Sequence, residues 1–348
     1  MIYAGKQQYD DAISAYKQVI AKYPGSEESY TALDDIENCY MQTDRIREYI
    51  EYTKTLKMRI NTSASREDSL SFAAAELQYA SGNYQQAAHS LSNYIANYCS
   101  GGRYCALAQY YLADSYYRSN QRDKALEAYH PICSQLGHQY REEACLRCAE
   151  ITYDKKDFRT ALSYFIQLQD AAGSIANKQV ARLGILRCYY QLNDYEQTIR
   201  IASEIIDDSK SDDELTEEAH YNRAKAYLAK HNYTLALNDL KDLSRDLSNP
   251  YGAEAKFELC NCYYHLNELD RAEQEIMDYV EKNTPYRYWL ARSLVLLADV
   301  YTKRGDDFQA KQYLLSIQNN YSGNDDIKDI VAQRLQRIEE RERERIDD

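Results

Sequence analysis

From Tyr129 to Cys148 the chain reads YHPICSQLGHQYREEACLRC, which places His130, Cys133, His138, Cys145 and Cys148 within one short stretch. Imidazole nitrogen and thiolate sulfur are the ligands of tetrahedral Zn²⁺ sites, so this is the first place to look for a metal. A second stretch, DDSKSDDELTEE at residues 207–218, is rich in carboxylates. Calcium requires such oxygens arranged around a tight turn, and no glycine supplies one there. The run reads as solvated surface. In a third stretch, YCSGGRYC, Cys99 and Cys105 flank a Gly-Gly loop that could join their sulfurs. The patterns GxxxxGK[ST], GxSxG, HExxH and GxGxxG do not occur. No catalytic residue or cofactor site is therefore assigned, and the chain is read as a non-enzyme. Whether the cysteines are ligands or packing depends on the elements that carry them.

Those elements are helices. The chain has 11 Gly and 4 Pro in 348 residues, far below an average usage of roughly 7% and 5%. A β-sandwich or barrel needs such residues in turns at short intervals, so the fold class is all-α. Length alone would suggest about two domains. No apolar run is long enough to span a bilayer, so no direct membrane insertion is expected. The N-terminus shows no basic segment followed by an apolar one. A net charge of −13 argues against nucleic acid as partner, because phosphate neutralisation needs a clustered basic face. The compositional anomaly is tyrosine, with 36 Tyr against 5 Phe and 1 Trp.

The chain repeats. Taking an alanine as origin, copies recur at Ala12, Ala87, Ala125, Ala161, Ala236, Ala272 and Ala310, with Tyr49 and Thr198 in the same slot of two degenerate copies. Three before the origin stand Tyr9, Tyr84, Phe158, Tyr195, Tyr233 or Leu269, and four after it Tyr16, Leu91, Tyr129, Phe165, Leu240, Ile276 and Leu314. The slot seven after it is apolar in every copy, from Val19 to Ile317. Spacings of 3, 4 and 7 lie on one stripe of a helix. A second helix lies upstream, with Tyr40, Tyr116, Tyr189, Tyr227, Tyr263 and Tyr301 nine before the origin. Twelve before it the residue is small, as at Ala75, Ala113, Ala149, Ala224 and Ala298, which lets two antiparallel helices approach closely. Each unit is a helical hairpin whose apolar face only a neighbouring hairpin can cover.

A small residue, Tyr three on, Ala nine further and a large apolar residue four beyond resembles the tetratricopeptide (TPR) repeat, and Pro24 fits its close. The resemblance implies an α-solenoid of about nine antiparallel hairpins in a right-handed superhelix, covering 1–348 as a single domain. Repeats are placed near 1–25, 27–62, 68–100, 104–138, 141–173, 178–210, 215–248, 252–284 and 288–322, with a capping helix at 325–346 that turns one apolar face inward. The second copy, with Tyr49 and Asp34 in small or apolar slots, makes a break in helix pairing near residues 43–70 the expected irregularity. Only MIYAG remains of the first helix of copy one, so the chain reads as the C-terminal part of a longer protein.

The slots also sort the cysteines. Cys148 sits where other copies carry Leu112, Leu259 and Leu297, and Cys145 where they carry Leu33 and Leu294. Both read as core, so no metal is assigned. Cys39, Cys188 and Cys262 share a small packing slot and are expected buried and unpaired. If the chain holds a disulfide, Cys99–Cys105 is the pair expected.

By helical geometry and family resemblance, the first helices line a concave groove through the slots 15, 11 and 8 before the origin. The outer row is Phe72, Tyr110, Tyr221 and Phe257; the inner row is Tyr79, Tyr117, Tyr153, Tyr190 and Tyr264. Between them lie Asp114, Glu150, Arg187, Lys225, Asn261 and Asp299. Exposed Tyr offers large contact area at low entropic cost, which suits protein recognition. The competing reading is that these rings stack on the next hairpin. The expected function is a non-enzymatic interaction scaffold binding a protein or peptide. The alternative is an assembly component of a bacterial cell envelope, because IAKYPGSEES, IANYCSGGR and IQNNYSGNDD look like the endings in TPR proteins of that compartment.

Overall fold

The computed structural model describes residues 8–58, 60, 63–208, 211–282 and 284–347, with side chains to residue 344. Among them every regular element is a helix. The MIYAG segment lies outside the described residues. The chain forms two compact units, residues 1–178 and 179–348. Unit 1 holds α1 (Tyr9–Lys22), α2 (Glu27–Gln42), α3 (Ile46–Thr55), α4 (Ala64–Ala80), α5 (Tyr84–Tyr98), α6 (Cys105–Arg118), α7 (Arg122–Ser134), α8 (Arg141–Asp154) and α9 (Phe158–Ala171). Helix α10 (Ile175–Gln191) begins in unit 1 and continues into unit 2. Unit 2 goes on with α11 (Tyr195–Ile206), α12 (Asp213–Ala229), α13 (Tyr233–Leu243), α14 (Pro250–His265), α15 (Leu269–Glu281), α16 (Arg287–Lys303), α17 (Asp307–Asn320) and α18 (Ile327–Asp347). Within each unit the helices pack chiefly on their neighbours in sequence, as an α-solenoid does.

The two small slots explain the close pairing. The origin alanines from Ala87 to Ala310 and the upstream Ala75, Ala113, Ala149 and Ala224 are fully buried. With nothing larger than a methyl group between the axes, Leu91, Leu168, Ile205, Ile276 and Leu314 close the hairpin interiors completely. Full burial of a side chain of that size stabilises by about 1.5–3 kcal/mol.

The turn between paired helices has a fixed geometry that the letters disguise. Asp44, Asn120, Lys156, Asn193, His231 and Asn267 all have φ between 56° and 61°, and Gly82 and Gly305 have φ of 78° and 84°. All of them stand five residues before their origin. This is the left-handed residue that ends the first helix and frees the chain to start the second. Asp157, Asp194 and Asp306, one residue later, cap the second helix by accepting from the backbone N–H of Thr160, Gln197 and Gln309. Lys156 and His231 lack the short polar side chain that eases this conformation. Lys156→Gly or His231→Gly is therefore expected to stabilise by about 0.5–1 kcal/mol. Urea denaturation checks this, and a destabilised variant would contradict it.

Near residues 43–70, where a break in helix pairing is expected, the helices still pair. The second hairpin is closed, with Tyr49 packed against Tyr40 at 6.2 Å between ring centroids. Its second helix, α3, has only 10 residues. A polar cleft of about 520 Å³ opens among α3, α4 and α5, lined in part by Glu51, Lys54, His89 and Asn93. Residues 59, 61 and 62, which end that repeat, lie outside the described residues.

The cysteines require one correction. Cys39, Cys148, Cys188 and Cys262 are buried and unpaired, as is Cys260. Cys99 and Cys105 are bonded, with Cα atoms 5.3 Å apart. Cys133 and Cys145, however, form a second disulfide, with Cα atoms 4.8 Å apart. The core slot of Cys145 was read correctly, since the residue is fully buried. What a slot on one helix does not reveal is its opposite number, here Cys133 in the last turn of α7. The two bridges staple the connections before and after the α6–α7 hairpin.

Candidate functional site

In unit 1 most of the tyrosine row is engaged by the next hairpin. Phe72 on α4 is 4% exposed and stacks on Tyr104 with ring centroids 4.6 Å apart. Tyr79 donates its hydroxyl hydrogen to Asp114 Oδ2 on α6 at 2.5 Å and lies against Tyr111 at 4.1 Å. Asp114 is itself buried and also accepts from Tyr129 at 3.2 Å and from Arg118. Tyr110 stacks on Tyr140 at 4.5 Å, and burial pushes its hydroxyl up to about 12. One repeat on, Tyr117 donates to Glu150 on α8 at 3.4 Å. Its ring lies close to the guanidinium groups of Arg122 and Arg147, at 4.1 and 5.0 Å. Tyr153 packs edge-on against Phe158 and Phe165.

The rungs share a logic. A tyrosine eight before one origin reaches an acid eleven before the next, which phenylalanine could not bond. Part of the tyrosine excess is therefore structural, linking hairpin to hairpin through a hydroxyl while the ring fills the seam.

In unit 2 the same slots begin likewise. Arg187 holds Glu218 through two bonds of 2.5 and 2.6 Å. Tyr221 and Lys225 both donate to Glu254, at 2.9 and 2.5 Å. Tyr190 lies beside Tyr195 at 6.2 Å. Farther along, the surface opens into a groove of about 550 Å³ between α14, α16 and α18. It brings together the expected Phe257, Asn261, Tyr264 and Asp299. Phe257 forms floor rather than wall, being 6% exposed and stacked on Trp289 at 5.6 Å. Asn261 donates to Glu258 at 3.1 Å.

The groove also contains three arginines that the repeat pattern did not single out: Arg292 on α16, and Arg334 and Arg337 on α18. Arg292 sits over the Phe257 ring at 5.2 Å and reaches Asp326 at 3.6 Å. Arg334 contacts both oxygens of Asp299 at 3.3 and 3.4 Å. Arg337 is exposed and makes no ion pair among the described residues. Lys303 lies over the Tyr264 ring at 4.6 Å. Burial, then the nearby Lys303 charge, lowers the pKa of His265 below the ordinary imidazole value. The cap stands outside the repeat register, which is why its arginines were missed. A signal was nevertheless present, since Ile330, Arg334 and Arg337 are spaced 4 and 3 apart on one stripe.

The metal hypothesis finds no support in the geometry. Cys133 and Cys145 are bonded to each other, and His130 Nδ1 contacts the Tyr164 hydroxyl at 2.8 Å. Among the described residues no three His, Cys, Asp or Glu side chains gather as a metal site. No helix among them is long and apolar enough to cross a membrane.

Two family models described as Tetratricopeptide repeat match the chain. One covers residues 72–130 and 221–288 and the other residues 1–26 and 292–324. Together they cover more than half of it. No curated protein matches. Among solved structures, a tetratricopeptide repeat protein from Parabacteroides merdae aligns at 15% identity and TM-score 0.41, over 78% of this chain and 100% of its own. The C-terminal part of a TPR repeat-containing protein from Cytophaga hutchinsonii aligns at 14% identity and TM-score 0.39, over 84% and 97%.

Proposed function

The chain belongs to the tetratricopeptide repeat family, and from that premise we propose that it is a non-enzymatic scaffold holding a peptide or protein partner in the groove between α14, α16 and α18. Repeats of this family serve in general as protein-interaction modules. The observation that carries the finer reading is the groove itself. There two candidate first-helix residues, Asn261 and Tyr264, line open space. Nucleic acid is not the proposed partner, given the net charge of −13.

The test compares two adjacent tyrosines. Peptides selected on the folded protein from a random display library are expected to lose about tenfold or more in affinity with Tyr264→Ala. Tyr263→Ala, at a position 4% exposed, should instead lower the melting temperature. Selected peptides that bind the Tyr264→Ala protein unchanged would move the binding surface elsewhere.

A second reading has its own support. Disulfides persist in oxidising compartments and are rare in the cytosol. The Cys99–Cys105 and Cys133–Cys145 bridges therefore favour a scaffold acting outside the cytosol, as in a bacterial envelope.

A further inference from the structure

We infer that a trough between α15, α16 and α17 binds a single-chain amphiphile, an aliphatic tail under a zwitterionic head. It uses a different stripe of α16 from the peptide groove, and its occupancy does not depend on that groove. The trough encloses about 490 Å³, within the roughly 300–1,000 Å³ of small-molecule sites. Helix α16 supplies the floor through Leu290, Ala291 and Leu294, with Arg287 at the start of the same stripe. Val280 at the end of α15 and Ile317 on α17 form the walls. Val280 is 41% exposed, and Leu290 and Leu294 are only partly covered.

Comparison with the preceding copies shows that the fold does not require this apolar floor. Leu290 and Leu294 stand 20 and 16 before the origin Ala310, where the three preceding copies carry Lys178 and Arg182, Thr216 and His220, and Gly252 and Lys256. In those copies the second residue of the pair crosses to an acid on or just after the second helix of its own hairpin. Arg182 reaches Asp208 at 2.7 Å, His220 faces Asp239 at 2.7 Å, and Lys256 holds Glu275 and Asp278 at 2.5 and 2.6 Å. No copy except the last carries large apolar residues in both slots. There the facing residues of α17 are Ser316 and Asn320, and open apolar surface replaces the ion pair. Apolar surface left open beside a polar rim marks a ligand-binding groove. The rim gives the head group. Lys282 is answered by Asp278 at 2.9 Å. Glu281 and Arg287 are both exposed, and neither makes an ion pair among the described residues. One free anion and one free cation on the same rim complement a head that carries both signs. The tail lies along Leu290 and Leu294, where each buried methylene adds to affinity.

The experiment titrates the intact protein calorimetrically with dodecylphosphocholine below its micelle concentration. Dodecanoate and dodecyltrimethylammonium, which share the tail, are the comparison. Saturable one-to-one binding is expected, tightest for the zwitterion. Leu294→Lys, which brings in the residue type of Lys256 one copy earlier, should weaken it about tenfold or more. Leu290→Thr, matching Thr216, should act in the same direction and serves if the lysine variant melts early. Leu235→Lys, at a position 55% exposed on α13 outside the trough, should change binding less than about twofold. Arg287→Gln and Glu281→Gln should each lower affinity for the zwitterion about two- to fivefold. Equal binding of the three heads, or affinity unchanged by both rim variants, would overturn the zwitterionic assignment. Binding that survives both Leu294→Lys and Leu290→Thr would remove the ligand from the trough, and unsaturable partitioning or no binding would remove the proposal altogether. Display-selected peptides that need Tyr264 should bind the Leu290→Thr protein unchanged, so failure here leaves the peptide groove to its own test.

Discussion

Protein produced in an oxidising compartment and unfolded without reductant is expected to titrate five thiols, and nine after reduction. Folded, it should titrate none quickly, because all five free cysteines are buried in helices. Burial pushes the thiols of Cys148, Cys188 and Cys262 up to about 12, leaving negligible thiolate at pH 7. The energetic consequence belongs to unit 1, where both bridges lie. Closing loops of sequence separation 6 and 12 removes unfolded-state entropy worth about 2.5 and 3 kcal/mol. Cys133→Ser/Cys145→Ser should therefore lower the melting temperature by roughly 6–12 °C. Amide exchange should quicken in α7 and α8 while α14–α18 keep their protection. Nine thiols without reductant would show that the bridges do not form, and the envelope reading would lose its support with them.

The hairpins were legible because the signal is periodic and the periodicity has a direct physical cause. A slot that is alanine in seven of nine copies announces itself when the copies are aligned. The groove was less legible, since slot arithmetic on one helix says which way a side chain leaves but not what meets it. Phe72, Asp114 and Phe257, expected to line the groove, are buried. The Cys133–Cys145 bridge was hidden for the same reason, being a relation between two slots of different copies. The left-handed turn was hidden differently. Asp, Gly, Asn, Lys and His share no chemistry that a pattern search would notice, yet all occupy one backbone conformation. The arginines of α18 were outside the repeat altogether, where no neighbouring copy exists for comparison.

Asp239 is a further residue the periodicity could not have revealed, and its removal should produce one of the largest single-site losses in unit 2. It stands three after the origin Ala236 on α13, within the apolar stripe, and is 2% exposed. Its carboxylate accepts from Arg223 Nε and Nη2 at 2.8 and 2.7 Å and faces His220 Nδ1 at 2.7 Å. Arg223 Nη1 also donates to Ser203 at 2.9 Å. Burial alone would raise the carboxyl pKa, but bonds from Arg223 and His220 outweigh it and hold it below the ordinary value. A group whose folded pKa is depressed contributes stability above its unfolded pKa of about 3.9, lost as pH falls towards the folded value. Asp239→Asn keeps the shape but strands the Arg223 guanidinium, and breaking such a pair costs about 3–5 kcal/mol. Urea denaturation should show that loss at pH 7. The gap between parent and variant should narrow as pH falls below about 4, since the parent carboxylate is then being neutralised too. Replacing both partners, Arg223→Met with Asp239→Leu, should recover much of the loss, because no charge is then left buried and unpaired. A variant within about 0.5 kcal/mol of the parent at pH 7, or a gap unchanged in acid, would show that this network is solvated and that the packing around it carries the fold.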